Sequence, residues 1–453
     1  MQRFLAYVML VMVFAHVTLN YSFFGTSERA DKYVQDLFNT YLGSRLYPQA
    51  NDDITVLLLT DQAVATHQRG HWPASYDFHG RVLNTMLTHR PAAVFIDFLW
   101  LSQRPDAPAH GPRDGDYLIK TLQRYKSAGI SVYLASSPAV KQNWPELDGL
   151  VKHVEAQVDI DFVDFVSRSY PAAKNNTGTP AFQIAQDIRP ELFANGPVEA
   201  MDIFWGTSPN GKNISWMTGA ADNTGLVDVL LSGYSGVKTS IPFSTTLFVR
   251  DLLNPVAATP EQANEAVDAF IKGKVVLYGA NLTGVNDLIF TPTRDILPGV
   301  YLHAMALDNL FHWGARYKSA NGSGLLANER WRDAWSFLIV LPVAVLFALF
   351  HTGMRISPSF TRLHRWRDRA HQFAGKHPLL SWMGVTALVA SWFAGWALIE
   401  FIWFDVSAAT VASYIEFIAV GFFLEKIGLL DGLSRIFLRR SEETECVGCE
   451  SRH

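Results

Sequence analysis

Hydropathy divides the chain into two kinds of sequence. Four runs are almost free of charge for about 20 residues, the length a helix needs to cross hydrocarbon. They are residues 4–24, with His16 and Asn20 as polar breaks; 334–354, which carries Pro342; 378–399; and 406–424, interrupted by Glu416. Between the first and second runs the pattern changes. Residues 54–59, 92–98 (with Asp97 inside), 130–135 and 274–280 are short, mainly apolar runs, as in strands buried on both faces. Residues 77–88, 116–127, 260–271 and 299–313 place apolar side chains at helical spacing, as with Phe78, Val82, Leu83, Met86 and Leu87. Thr259 ahead of Pro260, with Glu261 in the first turn, is a helix-start signal, and Ser244 is read as the cap of a helix reaching Leu253. Residues 30–48 read as a helix running on from the first span, with Tyr33, Leu37, Tyr41 and Leu42 in step. The stretch 138–241, rich in Asn, Gly, Pro and Ser, reads as short strands and long loops around one helix near 182–188, and 281–298 reads as a loop.

Strand and helix in alternation call for a mainly parallel sheet. The expected fold class is therefore an α/β domain with a mainly parallel sheet over residues 25–333, with four transmembrane helices, one N-terminal (within 1–24) and three C-terminal. A basic loop, 355–377, and a short tail, 425–453, complete the layout.

Charge gives this layout a direction. The loop 355–377 carries Arg355, Arg362, Arg365, Arg367, Arg369 and Lys376 against Asp368, whereas Glu400 and Asp405 are the charges between the third and fourth spans. The positive-inside rule puts both termini in the cytoplasm and the large domain outside, periplasmic if the membrane is a bacterial inner membrane. Trp331, Trp335, Trp392, Trp396 and Trp403 suit an interfacial belt or helix packing. A mean hydropathy of +0.08 is then an average over two unlike parts. The net charge of −4 gives no electrostatic case for nucleic acid. The two cysteines, Cys446 and Cys449, exclude an internal disulfide framework. With His453 they form a lone C-x-x-C set, weak grounds for a metal or redox pair or merely tail residues, and no cofactor is expected.

Several motifs follow one another in an order that carries a resemblance. A strand ends in an acid, Ile54-Thr-Val-Leu-Leu-Leu-Thr-Asp61; a Trp-Pro element follows, Gly70-His-Trp-Pro73; then Val94-Phe-Ile-Asp97 and Arg104-Pro-Asp106. The closing block is Gly273-Lys-Val-Val-Leu-Tyr-Gly279, Asp287, Thr291-Pro292 and Pro298-Gly-Val-Tyr-Leu-His303. This sequence resembles the type-two CHASE domain, an extracellular sensory domain attached to cyclases and kinases. It departs at Ala74-Ser-Tyr-Asp77, where the family often repeats Trp-Pro and adds an arginine. The resemblance implies one anchor before the domain and three spans after it. With no kinase or cyclase after the fourth span, it also implies a signalling partner supplied in trans, and allows a homodimer.

In a parallel sheet the strand carboxyl ends share one edge, the usual ligand edge. Asp61, Asp97, Ser136, Ser137, Asn281 and Asp287 fall there by this reading, with Trp72 as an apolar wall and His303 nearby on the last helix. The functional reading is a polar pocket for a small ligand or cation. The structural one is that Asp61 and Asp97 bond loop N–H groups and His303 is a core histidine. His67, His71 and His79 lie around Gly70 rather than on one convincing helix, and Asp114-Gly-Asp116 is too short for a calcium loop, so no metal is expected. Neither G-x-S-x-G, H-E-x-x-H, G-x-x-x-x-G-K nor G-x-G-x-x-G occurs, and no enzymatic activity is expected. Glu416, costly inside a span, needs a partner within the bundle or on another membrane protein. The function expected is a membrane sensor relaying an external signal; the alternative is an anchored scaffold that binds a protein and no small ligand.

Overall fold

The computed structural model describes residues 4–5, 7–13, 32, 35–36, 39, 46–47, 49–102, 114–139, 142–157, 161, 164–193, 199–208, 210–214, 242–255, 259–285, 287–293, 296–319, 322, 326, 328–352 and 378–406. It divides into two compact units, Asp36–Ser319 and Met1–Gln35 with Ala320–His453.

Six strands build the sheet of the larger unit: β1 (Ile54–Thr60), β2 (Ala93–Ile96), β3 (Ser131–Ser136), β4 (Lys152–Glu155), β5 (Thr246–Phe248) and β6 (Val275–Asn281). Their order is β4-β3-β2-β6-β1-β5, and every neighbouring pair is parallel. The register aligns Leu57, Tyr278, Ile96 and Leu134 on one face and Val56, Leu277, Phe95 and Tyr133 on the other. All eight are buried, so helices must cover both faces, which is why these strands read as mainly apolar runs.

Those helices are α1 (Asp61–Gln68), α2 (Tyr76–Thr88), α3 (Asp116–Ser127), α4 (Pro180–Ile188), α5 (Val249–Leu253), α6 (Pro260–Ile271) and α7 (Val300–Trp313). The Leu57 face shares a core with α1, α2, α3, α5 and α6. On the other face Phe95 meets His303 of α7 at 5.2 Å, and the Tyr133 hydroxyl donates to Asp187 of α4 at 2.8 Å. Helix α7 is buried on all sides from Val300 to Phe311. Gly279 lets it close on β6, because a Cβ there would lie 2.5 Å from the Cβ of Val300. The amino ends of α2 and α3 cap each other: Asp77 Oδ1 accepts from Gly115 N at 3.1 Å, and Asp114 Oδ1 accepts from Asp77 N at 3.1 Å.

Three expectations change. Ser244 begins no helix; Thr246–Phe248 is β5, paired with Val56–Leu58 of β1, and only Val249–Leu253 is helical. The expected loop 281–298 contains an antiparallel hairpin, β7 (Leu288–Phe290) with β8 (Ile296–Pro298). Helix α1, absent from the sequence reading, follows β1 directly and buries Ala63 and Val64.

In the second unit, α8 (Glu329–Thr352) and α9 (Pro378–Trp403) coincide with the second and third apolar runs. Ile339, Val343, Val389 and Phe393 form part of a core with Tyr7 and Val11. Trp335 of α8 and Trp396 of α9 pack edge to face at 5.3 Å. Among the described residues no helix is long and apolar enough to cross a membrane. Residues 14–24 of the first run, the fourth run with Glu416, the basic loop 355–377, and the tail with Cys446 and Cys449 lie outside the described residues.

Candidate functional site

Parallel strands deliver their carboxyl ends to one edge, where Thr60 of β1 stands opposite Asn281 of β6. Asp97, the residue after β2, donates its N–H to Tyr278 O at 2.8 Å, which carries the β2–β6 ladder one step beyond the strand. Its side chain is partly buried at this edge of the sheet. Asp287 comes to the same edge from the loop after β6, near enough for its charge to act on Asp97. Its backbone O accepts from Gly299 N at 3.0 Å, and a Cβ at Gly299 would lie 2.5 Å from its Oδ1. Glycine at 299 is therefore what lets the carboxyl rest against the first turn of α7.

Burial raises the pKa of both carboxyls, and the charge of Asp287 raises that of Asp97 further. Neither has a hydrogen bond or ion pair to its side chain among the described residues. Two acids close enough for one charge to disfavour the other favour a state in which the pair retains a proton, or one in which an incoming cation or donor replaces it.

Beside Asp97 is Tyr170, whose pKa is raised by burial and, in smaller part, by the Asp97 charge. The tyrosine oxygen accepts from Ala181 N at 3.2 Å and lies 2.7 Å from His303 Nδ1. The Tyr170 hydroxyl thus ties Ala181 N and His303 together in the core. Burial pushes His303 down to about 3, so the ring is neutral. At 4% exposure it supports the crevice from within the core and is not open to a ligand.

The remaining expected residues are distributed around this pair. Asp61 accepts from Thr283 N at 3.1 Å and from Thr283 Oγ1 at 2.7 Å, clasping the end of β1 to the loop after β6. Asn281 is exposed at the tip of β6. Trp72 is 40% exposed, and its ring lies 6.4 Å from that of Phe98, the residue after Asp97. Ser136 Oγ donates to Val154 O and Ser137 Oγ to Gln157 Oε1, both serving the β3–β4 end. His79 Nδ1 meets the Tyr278 hydroxyl at 3.0 Å, and His67 faces Asn254. Among the described residues no group of three His, Cys, Asp or Glu side chains is arranged to hold a metal ion.

The structure thus brings together Asp97 and Asp287, with Tyr170 and His303 behind them. Sequence reasoning missed Tyr170 and Gly299. The Pro298-Gly-Val run was a signal for Gly299; Tyr170 sits in the stretch without periodicity and had none.

The fold and edge define a three-layer parallel α/β domain with an acidic crevice at its carboxyl ends. The chain matches the CHASE2 domain over residues 8–349 and belongs to that family of extracellular sensory domains. No curated protein and no solved structure matches it.

Proposed function

We propose that the protein is a multi-pass sensory protein of a bacterial inner membrane, with cytoplasmic termini and a periplasmic CHASE2 domain. It detects a signal at the Asp97–Asp287 crevice and relays it through its helices to a signalling partner on the cytoplasmic side. The observation that carries this reading is that Asp97 and Asp287 come together at the carboxyl edge of the sheet, with both pKa values raised by burial and that of Asp97 also by the Asp287 charge. Such a pair changes its proton or cation occupancy with the surrounding medium.

The membrane part rests on the four uncharged runs and on the loop charges that orient them. The relay is supported by two ties on the segment between the first run and β1. Arg168 grips Asp36 with two hydrogen bonds of 2.8 Å, and Asp308 of α7 holds the Tyr47 hydroxyl and, at 2.9 Å, Asn51 N. The basic loop 355–377 is the surface proposed to meet the partner or anionic lipid. Glu416 is proposed as an intramembrane contact, and a second copy of the chain as a further partner. No catalytic step is proposed. One observation favours the scaffold alternative: Trp72, Leu99 and Leu101 expose large apolar side chains near the same edge, which suits a protein partner.

The test follows the unfolding temperature of the full-length protein against pH and against Mg²⁺ or Ca²⁺. With raised carboxyl pKa values, the wild type is expected to lose stability as pH rises through the pair's titration and to regain it with a cation; Asp97→Asn is expected to flatten both responses. Unaltered responses in Asp97→Asn count against the crevice as the sensing site.

A further inference from the structure

One guanidinium ties the stretch between the first uncharged run and β1 to the rest of the larger unit. Arg168 is 6% exposed and Asp36 7%. Asp36 Oδ1 accepts from Arg168 Nε and Asp36 Oδ2 from Nη2, both at 2.8 Å. The same guanidinium donates to Asp164, from Nη1 at 3.0 Å and from Nη2 at 2.6 Å, while Asp161 Oδ2 lies 3.4 Å from Nη1. Asp164 thus holds a two-pronged bond of its own. The loop that carries both acids is fixed locally. Asp161 O accepts from Phe165 N at 2.7 Å and Asp164 Oδ1 from Val166 N at 3.1 Å. Between them Phe165 takes a left-handed φ of 60°, which bulky residues rarely adopt. A buried ion pair is costly to open when that strands a charge. Arg168 is not stranded when Asp36 leaves: Asp164 keeps its fork, and Asp161 has only to close from 3.4 Å to ordinary hydrogen-bonding distance.

The residues beside Arg168 reach the carboxyl edge of the sheet. Ser167 donates its N–H to Phe290 O at 2.8 Å, and Phe290 ends the strand β7 that begins directly after Asp287. On the other side of Arg168, the Tyr170 hydroxyl lies 2.7 Å from His303 of α7. We propose that Asp36–Arg168 is a releasable latch: a change at Asp287 shifts β7, β7 moves Ser167 and Arg168, and the guanidinium exchanges Asp36 for Asp161. Such an exchange supplies the two discrete arrangements that coupling between distant sites needs. The latch deepens the sensory function proposed above by naming the step that frees the chain next to the first run. It rests on that reading for its input, not for the exchange itself.

The test is hydrogen exchange of the full-length protein in detergent micelles, read by mass spectrometry over residues 36–47, with β1 in the same spectra reporting the fold as a whole. Asp36→Asn is expected to speed exchange over 36–47 at least about tenfold, the effect of losing one charge-assisted hydrogen bond. Asp161→Asn, which weakens the substitute acceptor, is expected to slow it. Opposite signs from neutralising two acids on one guanidinium separate a latch from an ion pair that only adds stability. Asp287→Asn, which leaves the bond from Gly299 N to Asp287 O in place, is expected to shift exchange over 36–47 several-fold in the wild type and not at all in Asp36→Asn. Exchange that stays at the wild-type rate in Asp36→Asn, rises in Asp161→Asn, or ignores Asp287→Asn overturns the latch. So does a rise that β1 shares in every variant, which is loss of the fold. The two readings fail separately. A crevice whose pH response never reaches 36–47 sinks only the latch, whereas a working latch with unaltered pH responses in Asp97→Asn sinks only the crevice as the sensing site.

Discussion

Asp308 is a buried group whose titration bears directly on stability. It is 1% exposed on α7, and its carboxyl accepts from Asn51 N at 2.9 Å and meets the Tyr47 hydroxyl. Burial nonetheless raises its pKa from 3.8 to about 7, against the opposing effect of the Asn51 N–H. Below the lower value both folded and unfolded chains carry the proton, and the group is neutral in the balance. Between the two values the unfolded chain has released a proton that the folded chain retains, so stability falls as pH rises. Above the upper value the folded state bears the full cost of a buried carboxylate, roughly three pKa units or about 4 kcal/mol. Asp308→Asn removes the titration, keeps an acceptor for Asn51 N and offers the Tyr47 hydroxyl oxygen an N–H donor in place of the second carboxylate oxygen. Urea unfolding of the full-length protein, followed by tryptophan fluorescence from about pH 4 to pH 8, gives the difference between variant and wild type at each pH. That difference is expected to shift towards the variant by several kcal/mol across the range. Parallel profiles for the two proteins would refute the reasoning.

Gly299→Ala is expected to push the Asp287 carboxyl away from α7, since the new Cβ would sit 2.5 Å from Oδ1, and so to lower the pKa of Asp97; carboxyl-carbon NMR of labelled protein reads this directly. Thr259→Ala removes the side chain that accepts from Gln262 N at the start of α6 and is expected to cost about 0.5–1 kcal/mol in chemical unfolding, with no change in the Asp97 titration.

The legible parts of the fold were those in which one physical constraint dominates. β1, β2, β3 and β6 are covered on both faces, so Leu57, Phe95, Tyr133 and Leu277 had to be apolar whichever way they pointed. Thr259-Pro260 announced α6 because capping is local. β5 was not legible: three residues after Ser244-Thr245 look like a helix start, and only pairing with β1 makes them a strand. The hairpin of β7 and β8 is equally short and exists by contact with its own partner. For the site, parallel topology alone sent Asp61, Asp97 and Asn281 to one edge. Which acids meet was decided by the loop after β6, where Asp287 joins Asp97 while Asp61 turns to Thr283.

The central claim is that the state of the Asp97–Asp287 pair outside is read on the other side of the membrane. Cross-linking of the full-length protein to its cytoplasmic partner, in native membranes while the external pH is varied, tests it most directly. The yield is expected to change with external pH in the wild type and to be constant in Asp97→Asn. A yield that follows external pH equally in both, or in neither, would contradict it.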